Sequence, residues 1–126
     1  MKYAEAIANA NRAWMVRAEA IAAAEADFQV ALDALHMAAI DALKAAGIED
    51  GATFVAQRRY ERKPSTLSLH FTAFSGERWG KIMPRFLCPY LTSKGVVHGG
   101  KNAAEYTVEE LLDPEKVRFI PREVTV

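Results

Sequence analysis

Large apolar residues recur every seven positions through the first third of the chain. They are Ile7, Trp14, Ile21, Phe28 and Leu35. Three residues after each of them is a second seam position, which is alanine in every case but one: Ala10, Arg17, Ala24, Ala31 and Ala38. This heptad pattern predicts a helix that packs closely against another helix, because small residues let two helix backbones approach each other.

The same segment is free of helix-breaking residues. Residues 2 to 46 contain neither glycine nor proline, and 18 of the first 46 residues are alanine, the strongest helix former. Gly47 is predicted to end the helix, since glycine readily adopts the left-handed conformation found just beyond helix C-termini. A second apolar stripe, about 200° around the helix from the first, comprises Val16, Ala23, Val30 and Met37.

A helix that is apolar on two sides is predicted to be covered twice, by its own C-terminal domain and by another helix. Two arrangements provide that other helix. A continuous helix pairs with a copy of itself in a homo-oligomer, or the segment bends near 9–11 or Asp27 into a helical hairpin. The absence of glycine and proline at both places favours the continuous helix, with self-association through Ile7, Trp14, Ile21, Phe28 and Leu35.

From Gly51 onward the pattern changes from heptads to strands and turns. Residues 53–61 and 66–74 are predicted to form a hairpin around a turn at 63–65, because apolar and polar residues alternate in the second of them. Residues 75–77 are predicted to turn the chain into a strand that Pro84 ends or confines to a sheet edge. Further predicted elements are a short helix opened by a capping box at 107–110 and strands at 96–98, 117–120 and 124–126.

These elements predict an α+β fold. A long, alanine-rich N-terminal heptad helix (1–47) packs with a small antiparallel β-sheet and one short C-terminal helix (51–126), as one domain with a helical extension. A segment as short as 51–126 buries a low fraction of its surface, so the sheet is predicted to rest against the long helix.

The formal net charge of zero conceals three blocks of opposite sign. Residues 1–50 carry four basic and eight acidic residues, residues 51–104 nine and two, and residues 105–126 three and six. The blocks therefore have net charges of −4, +7 and −3. The basic block either faces an acidic partner or is neutralised within the chain by its flanks, and the sequence leaves both open.

Basic residues interleaved with aromatic ones predict a partner-binding face on the sheet, since cations contact phosphates or carboxylates and rings stack. The candidate residues are Arg58, Arg59, Arg62, Lys63, Arg78, Trp79, Lys81, Arg85, Lys94, His98 and Lys101.

Candidate catalytic features are weak. Residues 95–101 match a phosphate-loop pattern, but Asn102 replaces the Ser or Thr that would bind Mg²⁺, and 24 residues after it are too few for a nucleotide-hydrolysing core. Cys88 lies in an apolar run between prolines, which is typical of a small core residue. No histidine, cysteine or carboxylate spacing predicts a metal site, and we expect neither an enzyme nor a cofactor.

We therefore expect a non-enzymatic binding protein that self-associates through its helix and engages a macromolecule with its basic face. A protein partner is favoured, with the chain as inhibitor, adaptor or assembly factor, because the acidic flanks can neutralise part of the basic block. The alternative is a nucleic-acid-binding module that uses the same face. No segment resembles a known family, as is typical of small phage proteins. The lack of a signal peptide or membrane span and the single cysteine predict a cytoplasmic location without membrane contact.

Overall fold

The computed structural model describes residues 2 to 121, apart from the side chain of Arg78. In chain order its elements are α1 (Tyr3–Ala45), β1 (Thr53–Ala56), β2 (Ser65–Ser68), β3 (Ala73–Arg78), β4 (Lys81–Cys88), β5 (Ala104–Tyr106), α2 (Val108–Leu111) and β6 (Val117–Phe119). One long helix, two antiparallel three-stranded sheets and a short helix make an α+β fold, as predicted. Contacts divide the chain into two compact units, one ending at Ala34 and the other beginning at Leu35.

The first unit is the N-terminal part of α1. The helix is unbroken at 9–11 and at Asp27, so the continuous helix is confirmed and the hairpin is not formed. Every residue from 2 to 31 is exposed. The four seam residues of this part have between 43% and 65% of their surface exposed: Ile7, Trp14, Ile21 and Phe28.

The expectation that the chain's own C-terminal domain covers one face of this part of the helix stays a prediction. The residues of the second stripe in this part, from Val16 to Val30, are exposed as well. The 43 residues of α1 span about 65 Å at the rise of an α-helix.

The last turns of α1 belong to the second unit, where Ala39 and Leu43 are buried one turn apart in the hydrophobic core. Gly47 ends the helix as predicted, with a φ of 84°. The Ile48 N–H donates to the Leu43 carbonyl at 3.0 Å, and the Gly47 N–H donates to the Lys44 carbonyl at 2.9 Å. These two bonds are the Schellman arrangement, and Ile48 joins Leu43 in the core.

The two sheets share that core. Their strand orders are β2-β1-β6 and β3-β4-β5. The Phe54 ring on β1 meets the Tyr106 ring on β5 edge to face, with centroids 5.3 Å apart, and the Phe119 ring on β6 at 5.4 Å. The fully buried side chains are Leu43, Phe54, Leu67, Leu69, Phe86, Cys88 and Leu111.

The predicted β1–β2 hairpin is confirmed, with Thr53 opposite Ser68 and Ala56 opposite Ser65, although both strands are shorter than predicted. The capping box is also confirmed: the Glu110 N–H donates to Thr107 Oγ1, and the Thr107 N–H donates to the Glu110 carboxylate. Residues 117–119 form β6. Residues 96–98 contribute only an isolated bridge between Val97 and Leu91. Strand β5 was not predicted, and residues 124–126 lie outside the described residues.

The prediction of a turn at 75–77 is wrong, because those residues lie within β3. The turn is formed by Trp79 and Gly80, with φ values of 57° and 73°. Positive φ at both central residues is the geometry of a two-residue type I′ hairpin, whose twist matches that of the flanking strands. The Gly80 N–H also donates to Glu77 Oε1 at 3.1 Å.

Pro84 neither ends β4 nor confines it to a sheet edge, because β4 continues to Cys88 and is the central strand of the sheet β3-β4-β5. Arg78 and Lys81 close the hairpin, and bonded and non-bonded pairs alternate from there, so Pro84 opposite Ser75 falls on a non-bonded pair. Its nitrogen therefore faces the side where β5 pairs with β4, and that pairing begins only at Phe86. The missing N–H of proline consequently removes no ladder hydrogen bond.

Candidate partner-binding surface

Two loops carry most of the basic residues that the sequence singled out, and they meet at one carboxylate. We call the segments 57–64 and 89–103 together the basic loop pair. Glu61, in the first loop, accepts hydrogen bonds from the Tyr90 hydroxyl of the second loop at 3.1 Å and from Ser65 Oγ at 2.7 Å. The bond to Tyr90 ties together loops that lie far apart in sequence.

Aromatic rings orient two cations at this junction. Lys101 Nζ lies 4.9 Å from the centre of the Tyr90 ring, and the Arg58 guanidinium lies 5.7 Å from the centre of the Tyr106 ring. Both are within cation–π distance, so each ring limits the positions that its cation occupies. A third pair, Arg59 and Tyr60, has a separation of 5.8 Å and lies at the surface.

The carboxylate of Glu61 is stabilised in its ionised form by hydrogen bonds at the junction of the loops. Burial opposes its ionisation, but hydrogen bonds from Ser65 and Tyr90 outweigh this and lower the pKa of Glu61. Burial, together with the bond to Glu61, raises the pKa of Tyr90. Glu61 is therefore ionised at neutral pH. Its carboxylate oxygens accept the hydrogen bonds from Tyr90 and Ser65.

The loop pair is strongly basic. It contains six cations, Arg58, Arg59, Arg62, Lys63, Lys94 and Lys101, and a single carboxylate. The surface thus retains a concentration of positive charge, although the whole chain is neutral.

The glycine-containing segment is a turn rather than a phosphate loop. Gly95 has a φ of 78° and its N–H donates to the Thr92 carbonyl, so residues 92–95 form a tight turn. His98 Nδ1 accepts from the Gly100 N–H at 3.0 Å. After Lys101 the chain enters β5, whereas a phosphate loop opens a helix.

The remaining candidates lie on the β3–β4 hairpin. Trp79 is at its tip with 90% of its surface exposed, and Arg85 pairs with Glu105 at 3.0 Å. Lys81 is exposed beside the turn, and the side chain of Arg78 lies outside the described residues. Within the described part of the chain, the hydrogen bonds and ring contacts of the loop pair include no residue of this hairpin. The single face expected from the sequence is therefore divided between two elements.

Sequence reasoning missed an apolar surface on the same hairpin. Phe74, Met83 and Leu87 are all exposed, and the strand register places them on one face of the sheet with Arg85. The misplaced turn at 75–77 concealed this face, because the alternation of β4 is visible only when the strand continues through Pro84.

The other face of the hairpin is buried at Phe86 and Cys88, and the groups that resemble reactive ones are Cys88, Tyr106 and His36. Burial raises the pKa of Cys88 to about 12, so its thiol stays protonated at neutral pH. Burial also raises the pKa of Tyr106 to about 12, and among the described residues its hydroxyl has no hydrogen-bond partner. His36 is half-buried, with Nε2 2.7 Å from Ser75 Oγ.

Among residues 2 to 121, no group of side chains has the composition of a metal site, and no helix is long and apolar enough to cross a membrane. No protein-family model, curated protein or solved structure matches the chain.

Proposed function

We propose that the chain is a non-enzymatic binding protein that self-associates through α1 and binds a single-stranded nucleic acid with its basic loop pair. The observation that carries the proposal is the composition of the loop pair, with six cations and one carboxylate that is hydrogen-bonded internally. Clustered cations on a small sheet protein attract a phosphate backbone, and releasing the counterions of that backbone drives binding.

Exposed aromatic rings support nucleic acid over an acidic protein. Tyr60 has 91% of its surface exposed and lies beside the Arg59 guanidinium. A ring and a guanidinium on an open surface both stack on unpaired bases, and each stacked base contributes about 1–3 kcal/mol. The acidic flanks of the chain are the argument for a protein partner, because they can neutralise the basic block. Within the loop pair itself, however, six cations accompany one carboxylate, and that carboxylate accepts hydrogen bonds from Tyr90 and Ser65.

A protein partner remains the second candidate, on a different surface. Phe74, Met83 and Leu87 form an exposed apolar face bordered by the Arg85–Glu105 ion pair. An apolar centre with a charged rim is typical of protein interfaces. An adaptor, inhibitor or assembly factor, of the kind that phages encode, would use this face.

Salt-dependent binding of fluorescent oligo(dT) or oligo(U) tests the nucleic-acid proposal. For a single strand, the logarithm of affinity should fall with the logarithm of salt concentration, with a slope of about 0.7 per phosphate neutralised. The double variant Arg59→Ala/Arg62→Ala should weaken binding and reduce that slope. The matched control is Lys116→Ala/Arg118→Ala, which removes two exposed cations outside the loop pair. Absence of binding at low salt, or equal losses in both double variants, would refute the proposal.

A further inference from the structure

The exposed part of α1 has opposite charges at its two ends. Residues 2–17 contain three basic residues and one acidic residue, and residues 18–34 contain four acidic residues and no basic one. The charged side chains are Lys2, Glu5, Arg12, Arg17, Glu19, Glu25, Asp27 and Asp33. This part of the helix therefore carries +2 in its first half and −4 in its second.

The apolar seam alternates in size as well. Large side chains at Ile7, Trp14 and Phe28 are separated by alanines at the second seam position. In a parallel pair each seam residue meets its own copy, so two Trp14 rings share one layer and two alanines share the next. In an antiparallel pair, a first-position residue meets a second-position residue, so Ile7, Trp14 and Phe28 can each meet an alanine. The combined layers fill space evenly.

We propose that α1 pairs with α1 of a second copy in the antiparallel direction, over residues 3 to 35. The proposal rests on the self-association proposed above and adds its direction and register. A single register gives all three of these layers, pairing Ile7 with Ala31, Trp14 with Ala24 and Phe28 with Ala10 of the second copy. It also pairs Ile21 with Arg17.

Charge favours the same direction. An antiparallel pair places the +2 half of each helix beside the −4 half of the other, whereas a parallel pair places the two −4 halves side by side. Arg17 is the one charged seam residue. In the antiparallel register it lies opposite Ile21 of the second copy and one helical turn from Glu25, within reach of its long side chain.

The register also accounts for the extent of the exposed surface. It pairs Tyr3 with Leu35 of the second copy, and Leu35 is where α1 enters the second unit of its own chain. Residues 2 to 31 are exposed, whereas Leu35 is half-buried. The proposed pairing thus covers the exposed seam and stops where the helix is already packed.

Disulfide trapping in the full chain tests the direction. The variants Ile7→Cys and Ala31→Cys, mixed and oxidised, should give a covalent dimer on non-reducing gels, whereas each alone should stay monomeric. Ala10→Cys and Phe28→Cys repeat the test at the other layer. Ala26→Cys, on the outward side of the heptad, and the native chain, whose Cys88 is buried, are the controls.

The outcomes separate the direction from self-association itself. If Ala31→Cys alone forms a covalent dimer, the pair is parallel and the antiparallel proposal fails, although self-association stands. If light scattering shows the native chain to be a dimer but neither mixture is trapped, the register fails. If the native chain is a monomer, both the direction and the self-association are refuted.

Discussion

Trp79 is predicted to reduce the stability of the fold that it belongs to. It occupies the first central position of a type I′ turn with a φ of 57°, where asparagine and glycine are preferred. A non-glycine residue held in the left-handed region costs about 1 kcal/mol. Packing of the ring offsets little of this conformational cost, because 90% of the surface of Trp79 is exposed.

The magnitude follows from the area that the ring buries. A fully buried tryptophan removes about 200 Å² from water, so a tenth of that is about 20 Å². At about 25 cal/mol per Å², the ring contributes about 0.5 kcal/mol. Trp79→Asn relieves the strain and loses the ring contact, and should therefore stabilise the second unit by about 0.5 kcal/mol. Trp79→Ala loses the contact but keeps the strain, and should destabilise the unit by about 0.5 kcal/mol.

Pulsed thiol labelling of Cys88 in increasing urea measures this difference. Cys88 is the only cysteine and is fully buried in the second unit, so it reacts when that unit unfolds. Asparagine and alanine should differ by about 1 kcal/mol in the free energy of unfolding. Equal losses of stability in the two variants would show that the ring, and not the backbone conformation, determines the energy of this turn.

Three further perturbations test other parts of the structure. Leu43→Ala should destabilise the second unit by about 2–5 kcal/mol by leaving a cavity, with the exposed neighbour Lys44→Ala as control in the same labelling assay. Ile21→Asp places a charge in the centre of the seam and should convert the oligomer to monomers in light scattering, whereas Ala26→Asp, on the outward side, should not. The lowered pKa of Glu61 means that its ionised form stabilises the folded state at pH values above its ordinary pKa of 4.5. That contribution should be lost as the pH falls through the lowered value, so the native chain and Glu61→Gln should converge in stability in acid; a difference that persists there would contradict the assigned hydrogen bonds.

Features that depend on neighbours in the chain were predicted correctly. The absence of glycine and proline and the stop at Gly47 defined α1, because helix formation and the Schellman bonds involve residues at most five apart. The capping box joins residues three apart. The β1–β2 hairpin was visible from the alternation of its second strand, although the ends of both strands were not.

Features that depend on distant partners were not predictable. Gly76 and Gly80 are equally plausible turn residues by composition, and cross-strand pairing of β4 with β3 and β5 selects Gly80. The sequence identified the basic residues as one set. It did not predict that the set is divided between the basic loop pair and the β3–β4 hairpin. The bond that joins the two loops, between Glu61 and Tyr90, spans 29 positions.

The sequence by itself determined a long helix with one large and one small seam position, and an adjoining sheet segment rich in basic residues. These follow from helix propensity and side-chain periodicity, which are local. Only the tertiary structure decided which helix residues enter the core, since Ala39 and Leu43 pack with strand residues that lie far from them in the sequence. It also decided which loops meet, because the bond between Glu61 and Tyr90 joins segments that lie 29 positions apart in the sequence.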